Sequence, residues 1–206
     1  MSIRSEIAKQ FANPRGLLGG LVGIVMANRP SNRRRYRWTI GCLDIAPDDR
    51  VLEIGCGPGL GIAGIAARLE TGRVVGVDHS AVMIDQALCR NRAALRSGKA
   101  ELIVRDIDDL PEIAGGFTKV MVVNVLQFVP GLDIAANRIA DIMAPGGLLA
   151  ATYQPRRRRP TREAAIAFGD RLAIAFGHAG FVDIRMMEMP EGTAPVITVL
   201  AVKPKS

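Results

Sequence analysis

The sequence predicts an α/β domain: a doubly wound, mainly parallel, seven-stranded sheet with an antiparallel hairpin at its C-terminal edge. Three observations carry that expectation. From Pro47 onward, short β-rich runs alternate with stretches of helical length. Early runs such as VVGV and VMVV are continuously apolar instead of alternating, as strands are when helices cover both faces of a sheet. The last two runs are separated only by a turn around Pro190-Glu191-Gly192, which leaves no room for a parallel crossover.

Residues 50–55 (RVLEIG) read as the first strand, followed by a helix reaching about Glu70. Residues 73–78 (RVVGVD) form the second strand, and Ser80 is placed to cap a helix through about Arg96. Residues 101–105 and 119–124 (KVMVVN) are the third and fourth strands. A helix over 133–143 leads to a turn at Pro145-Gly146-Gly147 and then to the fifth strand, 148–153. Thr161 opens a long helix to His178, ended by Ala179-Gly180, and 181–188 and 195–202 close the sheet as a hairpin with one edge strand antiparallel. In an open sheet of this kind ligands bind beyond the C-terminal strand ends at the switch point, so the tips of the first, second and fourth strands are expected to surround one crevice.

The first 45 residues differ in kind. Residues 16–27, GLLGGLVGIVMA, follow Arg4, Lys9 and Arg15, and Val25-x-Ala27 resembles a signal-peptidase site. Arginine-rich sequence follows at once and four glycines break the run, so the segment reads instead as two or three short helices capping the domain. Pro14 suits a helix start, and Asn32 is expected to cap a helix through Trp38 and Leu43. The division is therefore 1–45, a helical lid or cap, and 46–206, the main domain. A lipid-facing interfacial helix is the competing reading of the same run.

The 206 residues hold 27 Lys+Arg against 20 Asp+Glu, a net charge of +7. The excess is local: Arg29, Arg33, Arg34, Arg35 and Arg37 form one cluster, and residues 156–159 with Arg162 another. Such clusters either favour anionic partners or are solvated surface that keeps the protein soluble, and with aromatics only 4% nucleic acid finds few stacking platforms and is not favoured. Peripheral membrane contact stays open. Cys42, Cys56 and Cys89 form no C-x-x-C pair, and His79 and His178 are the only histidines, so no metal site is expected and the compartment is expected to be reducing and cytoplasmic.

The first strand runs into Glu53-Ile54-Gly55-Cys56-Gly57-Pro58-Gly59-Leu60-Gly61. Glycines there allow a sharp turn and close approach of a ligand to the backbone. A literal G-x-G-x-x-G occurs at Gly59, Gly61 and Gly64, but the nicotinamide fingerprint needs its first glycine at the strand tip, and Gly59 comes about four residues later. Asp78 lies 23 residues after Gly55, near the ~20-residue spacing at which a second-strand carboxylate reaches a ribose diol.

These motifs resemble the class I S-adenosylmethionine-dependent methyltransferases, over roughly residues 45–202. VLEIGCGPG is similar to that family's cofactor loop, with Glu53, Gly55, Gly57 and Gly59 in the matching places and Cys56 between them. VVGVDHS resembles the second-strand motif, with Asp78 for the ribose hydroxyls; His79, next to it, either lines the adenine edge or faces solvent. VRDIDDLP resembles the adenine loop, with Asp106 and Ile107, and MAPGGLL resembles the turn before the fifth strand. The resemblance implies the Rossmann-like methyltransferase fold and S-adenosyl-L-methionine as cofactor. Met83, one turn into the following helix, is placed to cover an adenine face or to serve as core.

Methyl transfer needs alignment and exclusion of water, and a general base only when the acceptor holds its proton tightly. The fourth-strand tip, Asn124-Val125-Leu126-Gln127, offers none: Asn124 and Gln127 orient cofactor or substrate, or serve as core. Tyr153 is a candidate to face the acceptor, His178 suits a helix C-terminus, Glu163 and Asp170 read as surface charges, and no catalytic residue is assigned. The expected function is methyl transfer to a small-molecule or lipid-like acceptor. An RNA methyltransferase, or a cofactor-binding protein without catalysis, is the alternative.

Overall fold

The computed structural model describes residues 29–155, 161–190 and 195–205. The expectations for 1–28, including the capping helices and the apolar run, lie outside the described residues, as do those for the arginine tract at 156–159 and the turn at 191–192.

The elements in chain order are α1 (Pro30–Leu43), β1 (Arg50–Ile54), α2 (Leu60–Ala66), β2 (Arg73–Asp78), α3 (Ala81–Arg90), α4 (Arg92–Arg96), β3 (Ala100–Val104), β4 (Phe117–Val123), α5 (Leu132–Ile142), β5 (Met143–Tyr153), α6 (Arg162–His178), β6 (Val182–Glu188) and β7 (Ile197–Val202), with one 3-10 turn at Leu126–Phe128. The strands form one seven-stranded sheet in the order β3-β2-β1-β4-β5-β7-β6. All pairs from β3 to β5 are parallel, and β7 runs antiparallel to both β5 and β6. The antiparallel strand thus lies one place in from the edge, with β6 outermost. The order reverses between β1 and β4, which is the switch point.

Successive strand residues face opposite sides, and both sides are buried. Leu52, Ile54, Val75, Val77, Val120 and Val122 pack with Ile139 of α5 and Leu172 and Phe176 of α6. Val51, Val74, Met121 and Val123 pack on the other side with Ile40 and Leu43 of α1 and Ile62 and Ile65 of α2. Glu53 alternates with Leu52 and Ile54 and so falls on the α1–α2 side.

Four local expectations are corrected. Asn32 does not cap α1: the helix starts at Pro30, whose fixed φ suits the first helical position, after Arg29 in an extended conformation. The helix after β1 stops at Ala66 instead of about Glu70. The helix expected to run from Ser80 to Arg96 is broken at Asn91 into α3 and α4: its backbone leaves the helical region (φ −105°, ψ 21°), and its side chain bonds both the Ala87 carbonyl of the preceding turn and the Gly59 carbonyl. Pro145-Gly146-Gly147 lies inside β5: the register jumps from Phe117↔Met143 to Lys119↔Leu148, so the turn is a bulge in a longer strand.

Candidate functional site

Beyond β1 the chain turns through Gly55, Gly57 and Gly59, all at positive φ. Two of these glycines are required for different reasons. At Gly55 a Cβ would stand 2.2 Å from Val125 Cγ2, so the β4 tip fills the space a side chain would need. At Gly57, with φ +52°, a Cβ would meet nothing within 4 Å, so the protein leaves open the space beside this backbone. Close approach of a ligand is possible at Gly57 and not at Gly55.

Asp78 ends β2 and faces this loop. Its Oδ2 accepts the Gly57 N–H at 2.9 Å, and its Oδ1 accepts the Ser80 N–H at 2.9 Å. The adjacent Cys56 N–H donates to the Val77 carbonyl at 2.9 Å, which locks the loop to the β2 tip. Burial pushes the Asp78 carboxyl above its ordinary value; the Ser80 and Gly57 amides and the His79 ring pull it down, and Asp106 adds to the rise. Each Asp78 oxygen has a second lone pair beyond its amide bond, which suits a vicinal diol. His79 is exposed, its Nδ1 3.7 Å from Asp78 Oδ1.

Glu53 stands deeper. It is 1% exposed, and a Cβ at Gly61 would lie 2.4 Å from its Oε1, so the carboxyl sits against the first turn of α2. Neither of its oxygens meets a donor at hydrogen-bond geometry. Burial first, and the Asp78 charge second, push its pKa well above the carboxylate range, while the Ile62 amide offsets part of this. Burial thus favours the protonated form of Glu53 over the ionised one. Cys56 is fully buried in the same cluster, its thiol pushed up chiefly by burial.

The loop is also held from α3, by residues the sequence reading passed over. Asn91 Nδ2 donates to the Gly59 carbonyl at 3.0 Å and the Ala87 carbonyl at 2.9 Å, and Arg90 Nε donates to the Pro58 carbonyl at 2.9 Å. The one available signal was an asparagine in the middle of a helix-length run.

Across the switch point the crevice is bounded by β4, β5 and α1. Asn124 follows β4 with φ +55°, a conformation asparagine tolerates better than most residues. Its Oδ1 accepts the Gln154 N–H at 2.8 Å, and its carbonyl accepts from Gln127 Nε2 at 3.0 Å. Its Nδ2 is buried without a partner. Gln154 Oε1 accepts in turn from the guanidinium of Arg35 on α1. Arg35 is 3% exposed, whereas Arg33, Arg34 and Arg37 face solvent, so the arginine cluster divides into one inward and several outward members. A buried hydroxyl chain fixes α1 below this point: Trp38 Nε1 donates to Thr198 Oγ1 at 3.0 Å, Thr198 and Thr152 hydroxyls lie 2.8 Å apart, and Thr152 and Thr39 hydroxyls 2.7 Å apart. Tyr36, half-buried, packs against the cluster containing Ile40, Cys56 and Ile62. Its hydroxyl is pushed up, by burial first and by Glu53 next, with Asp78 also contributing and Arg35 opposing.

The remaining candidates are placed as follows. Met83 and Ile107 are core residues, 5% and 9% exposed. Asp106 is exposed, its Oδ1 accepting the Ile107 N–H at 2.6 Å. His178 pairs with Asp133 at 3.0 Å, and Tyr153 packs against Phe168 with ring centroids 4.3 Å apart and planes tilted by 45°. Glu163 and Asp170 are exposed. Among the described residues no three His, Cys, Asp or Glu side chains gather to hold a metal, and no helix is long and apolar enough to cross a membrane.

Comparison with known proteins bears on this arrangement. Residues 51–147 match the methyltransferase domain family. The uncharacterized methyltransferase YdaC of Bacillus subtilis (strain 168) is 30% identical over 80% of this chain and 87% of its own length. A trans-aconitate 2-methyltransferase of Paracidovorax citrulli is 32% identical over 65% of this chain and 53% of its own. A fatty-acid O-methyltransferase of Mycolicibacterium smegmatis is 29% identical over 68% and 50%. The chain thus spans about half the length of the latter two. The fold is shared with geranyl diphosphate C-methyltransferase from Streptomyces coelicolor A3(2), at a TM-score of 0.67 and 16% identity over 87% of each chain.

Proposed function

We propose, from the premise that the chain belongs to the class I S-adenosylmethionine-dependent methyltransferases, that it methylates a carboxylate oxygen of a small-molecule or lipid-like acid. The Gly57–Asp78 pairing carries the cofactor half of this reading. Open space beside the Gly57 backbone, with a two-oxygen acceptor at the β2 tip, fits a ribose diol and its adjoining chain. Asp78 and Gly57 would hold S-adenosylmethionine, Asp106 and Ile107 would border its base, and Glu53, Cys56 and Gly55 would shape the loop from within. His79, Met83, Gly59 and Asn124 complete the proposed set. When bound, the cofactor supplies a methyl carbon activated by a sulfonium. The protein's part is to align the acceptor and keep water out.

The acceptor class follows from what stands at the β4 tip. Gln127, in the 3-10 turn that follows β4, donates to the Asn124 carbonyl and has no basic group to take up a proton. A carboxylate carries its attacking lone pair at neutral pH and gives up no proton, so it needs no base. Relatives named for trans-aconitate and for fatty acids act on compounds of that class. The same reading gives the N-terminal 45 residues the part of a cap on the acceptor side. The test is labelled-cofactor turnover with lauric acid, lauryl alcohol and laurylamine. Only the acid is expected to accept a methyl group, at a rate that, with cofactor saturating, is nearly flat from mildly acidic to mildly basic pH. Preference for the alcohol or amine, with a rate climbing as pH rises, would reject it.

A further inference from the structure

We propose that the outward face of α1 is a docking surface for an anionic lipid membrane, which sets the mouth of the crevice against the lipid. The helix has two faces of opposite character. Arg35, Thr39, Ile40 and Leu43 turn inward and are buried. Arg33, Arg34 and Arg37 lie three and four residues apart on the exposed face, with Arg29 exposed just before the helix. No Asp or Glu occurs between Arg29 and Leu43, and none of the ion pairs among the described residues involves Arg29, Arg34 or Arg37. Beside this stripe Trp38 is half-buried, and its one polar atom is spent inside on Thr198, so the part of the ring that meets solvent is apolar. Burial raises the Cys42 thiol and the charge of Arg185 opposes the rise, so the exposed Arg185 of β6 stands beside α1 and extends the basic surface.

The surface sits at one end of the molecule. Arg35 reaches Gln154 just past the β5 tip, so the start of α1 stands at the C-terminal strand ends, where the crevice opens. The second arginine run of the sequence, residues 156–159, begins two residues after Gln154. The donor side of the crevice, where Asn124, Gln154 and Arg35 meet, is therefore its basic end. The acid side lies across the sheet: Asp78 ends β2, and the exposed Asp106 follows β3 at the far edge. An anionic surface attracts the first and repels the second, so the charge distribution selects one orientation. Nucleic acid would need exposed rings for its bases, and α1 offers only the half-buried Tyr36 and Trp38. The sequence just upstream, residues 16–27, is apolar, and stable attachment to a bilayer takes an apolar signal together with a basic one.

The test is co-sedimentation of the full chain with vesicles of phosphatidylcholine alone and of phosphatidylcholine with an equal part of phosphatidylglycerol. The wild type is expected to bind the anionic vesicles and to be released from them by high salt. Each basic residue near such a surface contributes about 5-fold, so Arg34→Gln with Arg37→Gln weakens binding about 25-fold. Lysine at both positions keeps it within about 3-fold, because a surface potential reads charge and not the guanidinium fork. Arg92→Gln with Arg96→Gln removes the same charge from α4, beside the far edge, and leaves binding within about 2-fold. Circular dichroism and S-adenosylhomocysteine affinity stay as in the wild type in every variant. A wild type that ignores anionic vesicles, equal loss from the α1 and α4 pairs, or binding to both vesicle types that the α1 pair does not change overturns the inference. RNA bound more tightly than the anionic vesicles, and lost in the same α1 variant, overturns it as well. None of these outcomes touches the acceptor reading, because no methyl transfer is measured.

Discussion

The two sides of the crevice are built by opposite means. On the acid side, the loop through Gly55, Gly57 and Gly59 is shaped by its own backbone and by one carboxylate, Asp78, that ends the neighbouring strand, with Asn91 and Arg90 holding its far carbonyls. On the donor side no segment is sufficient by itself. Asn124, Gln154 and Arg35 come from β4, β5 and α1, and the hydroxyls of Thr39, Thr152 and Thr198 tie those elements together behind them. The first is a local motif that gains its meaning from spacing. The second exists only after the sheet has assembled, and its residue types are ordinary wherever they stand in the chain.

The largest effect expected from this difference is at Gly57. Gly57→Val puts a branched side chain into the open space and into a φ of +52°, at a backbone cost of about 1–3 kcal/mol. The protein is expected to fold with a lowered midpoint while cofactor affinity falls about 100-fold or more, some 2.7 kcal/mol. Calorimetry beside circular dichroism separates the two effects, and retained binding would show that the loop is a turn without a ligand.

Asp78→Ala comes next. Losing hydrogen bonds to a charged group costs roughly 1.5–3 kcal/mol of cofactor binding. The Gly57 and Ser80 amides lose their acceptor as well, so Asp78→Asn, which keeps an oxygen there, should recover part of the loss.

Thr152→Val addresses the other side. It removes the middle hydroxyl of the buried chain and leaves Thr39 and Thr198 each short of a partner. Stability should drop by about 1–2 kcal/mol in chemical denaturation, with S-adenosylhomocysteine affinity within about 2-fold of wild type. A loss of affinity as large as that of Asp78→Ala would mean that α1 docking and the glycine loop are one unit and not two.

The smallest effect is on pH dependence. Native Glu53 and Asp78 hold protons more tightly than the unfolded chain does, because burial raises both carboxyls. Through the pH range above the ordinary carboxylate values the native state therefore binds more protons, and its stability rises as pH falls through that range. Cofactor binding has the opposite sign, since it uses ionised Asp78. Thermal midpoints of the free protein should climb slightly toward mildly acidic pH while cofactor affinity declines, and Glu53→Gln should flatten the first trend without removing the second.

The acid side was largely legible because its chemistry is written in consecutive residues. Gly55, Gly57 and Asp78 stand where strand tips had to meet, and the sheet order places them together. What sequence reading missed depends on contacts of long separation. Asn91 looked like one more helix residue until its side chain was seen to hold the Gly59 carbonyl. Arg35 looked like one of five clustered arginines, and nothing in that spacing distinguishes the member that turns inward to Gln154. Pro145-Gly146-Gly147 was legible as a turn but not as a bulge, because only the pairing of β4 with β5 reveals that the strand continues through it.

The most direct test of the proposed chemistry is the nature of the bond that the transferred methyl group makes. Wild-type protein is incubated with methyl-labelled S-adenosylmethionine and a carboxylic acid panel that includes trans-aconitate and lauric acid, and the labelled product is treated with mild alkali. A methyl ester hydrolyses to release labelled methanol, and that volatile, acid-dependent label is the predicted result. Alkali-stable label on an amine, a phenol, a carbon or RNA, or no transfer to any acid by a protein that binds the cofactor, would contradict it.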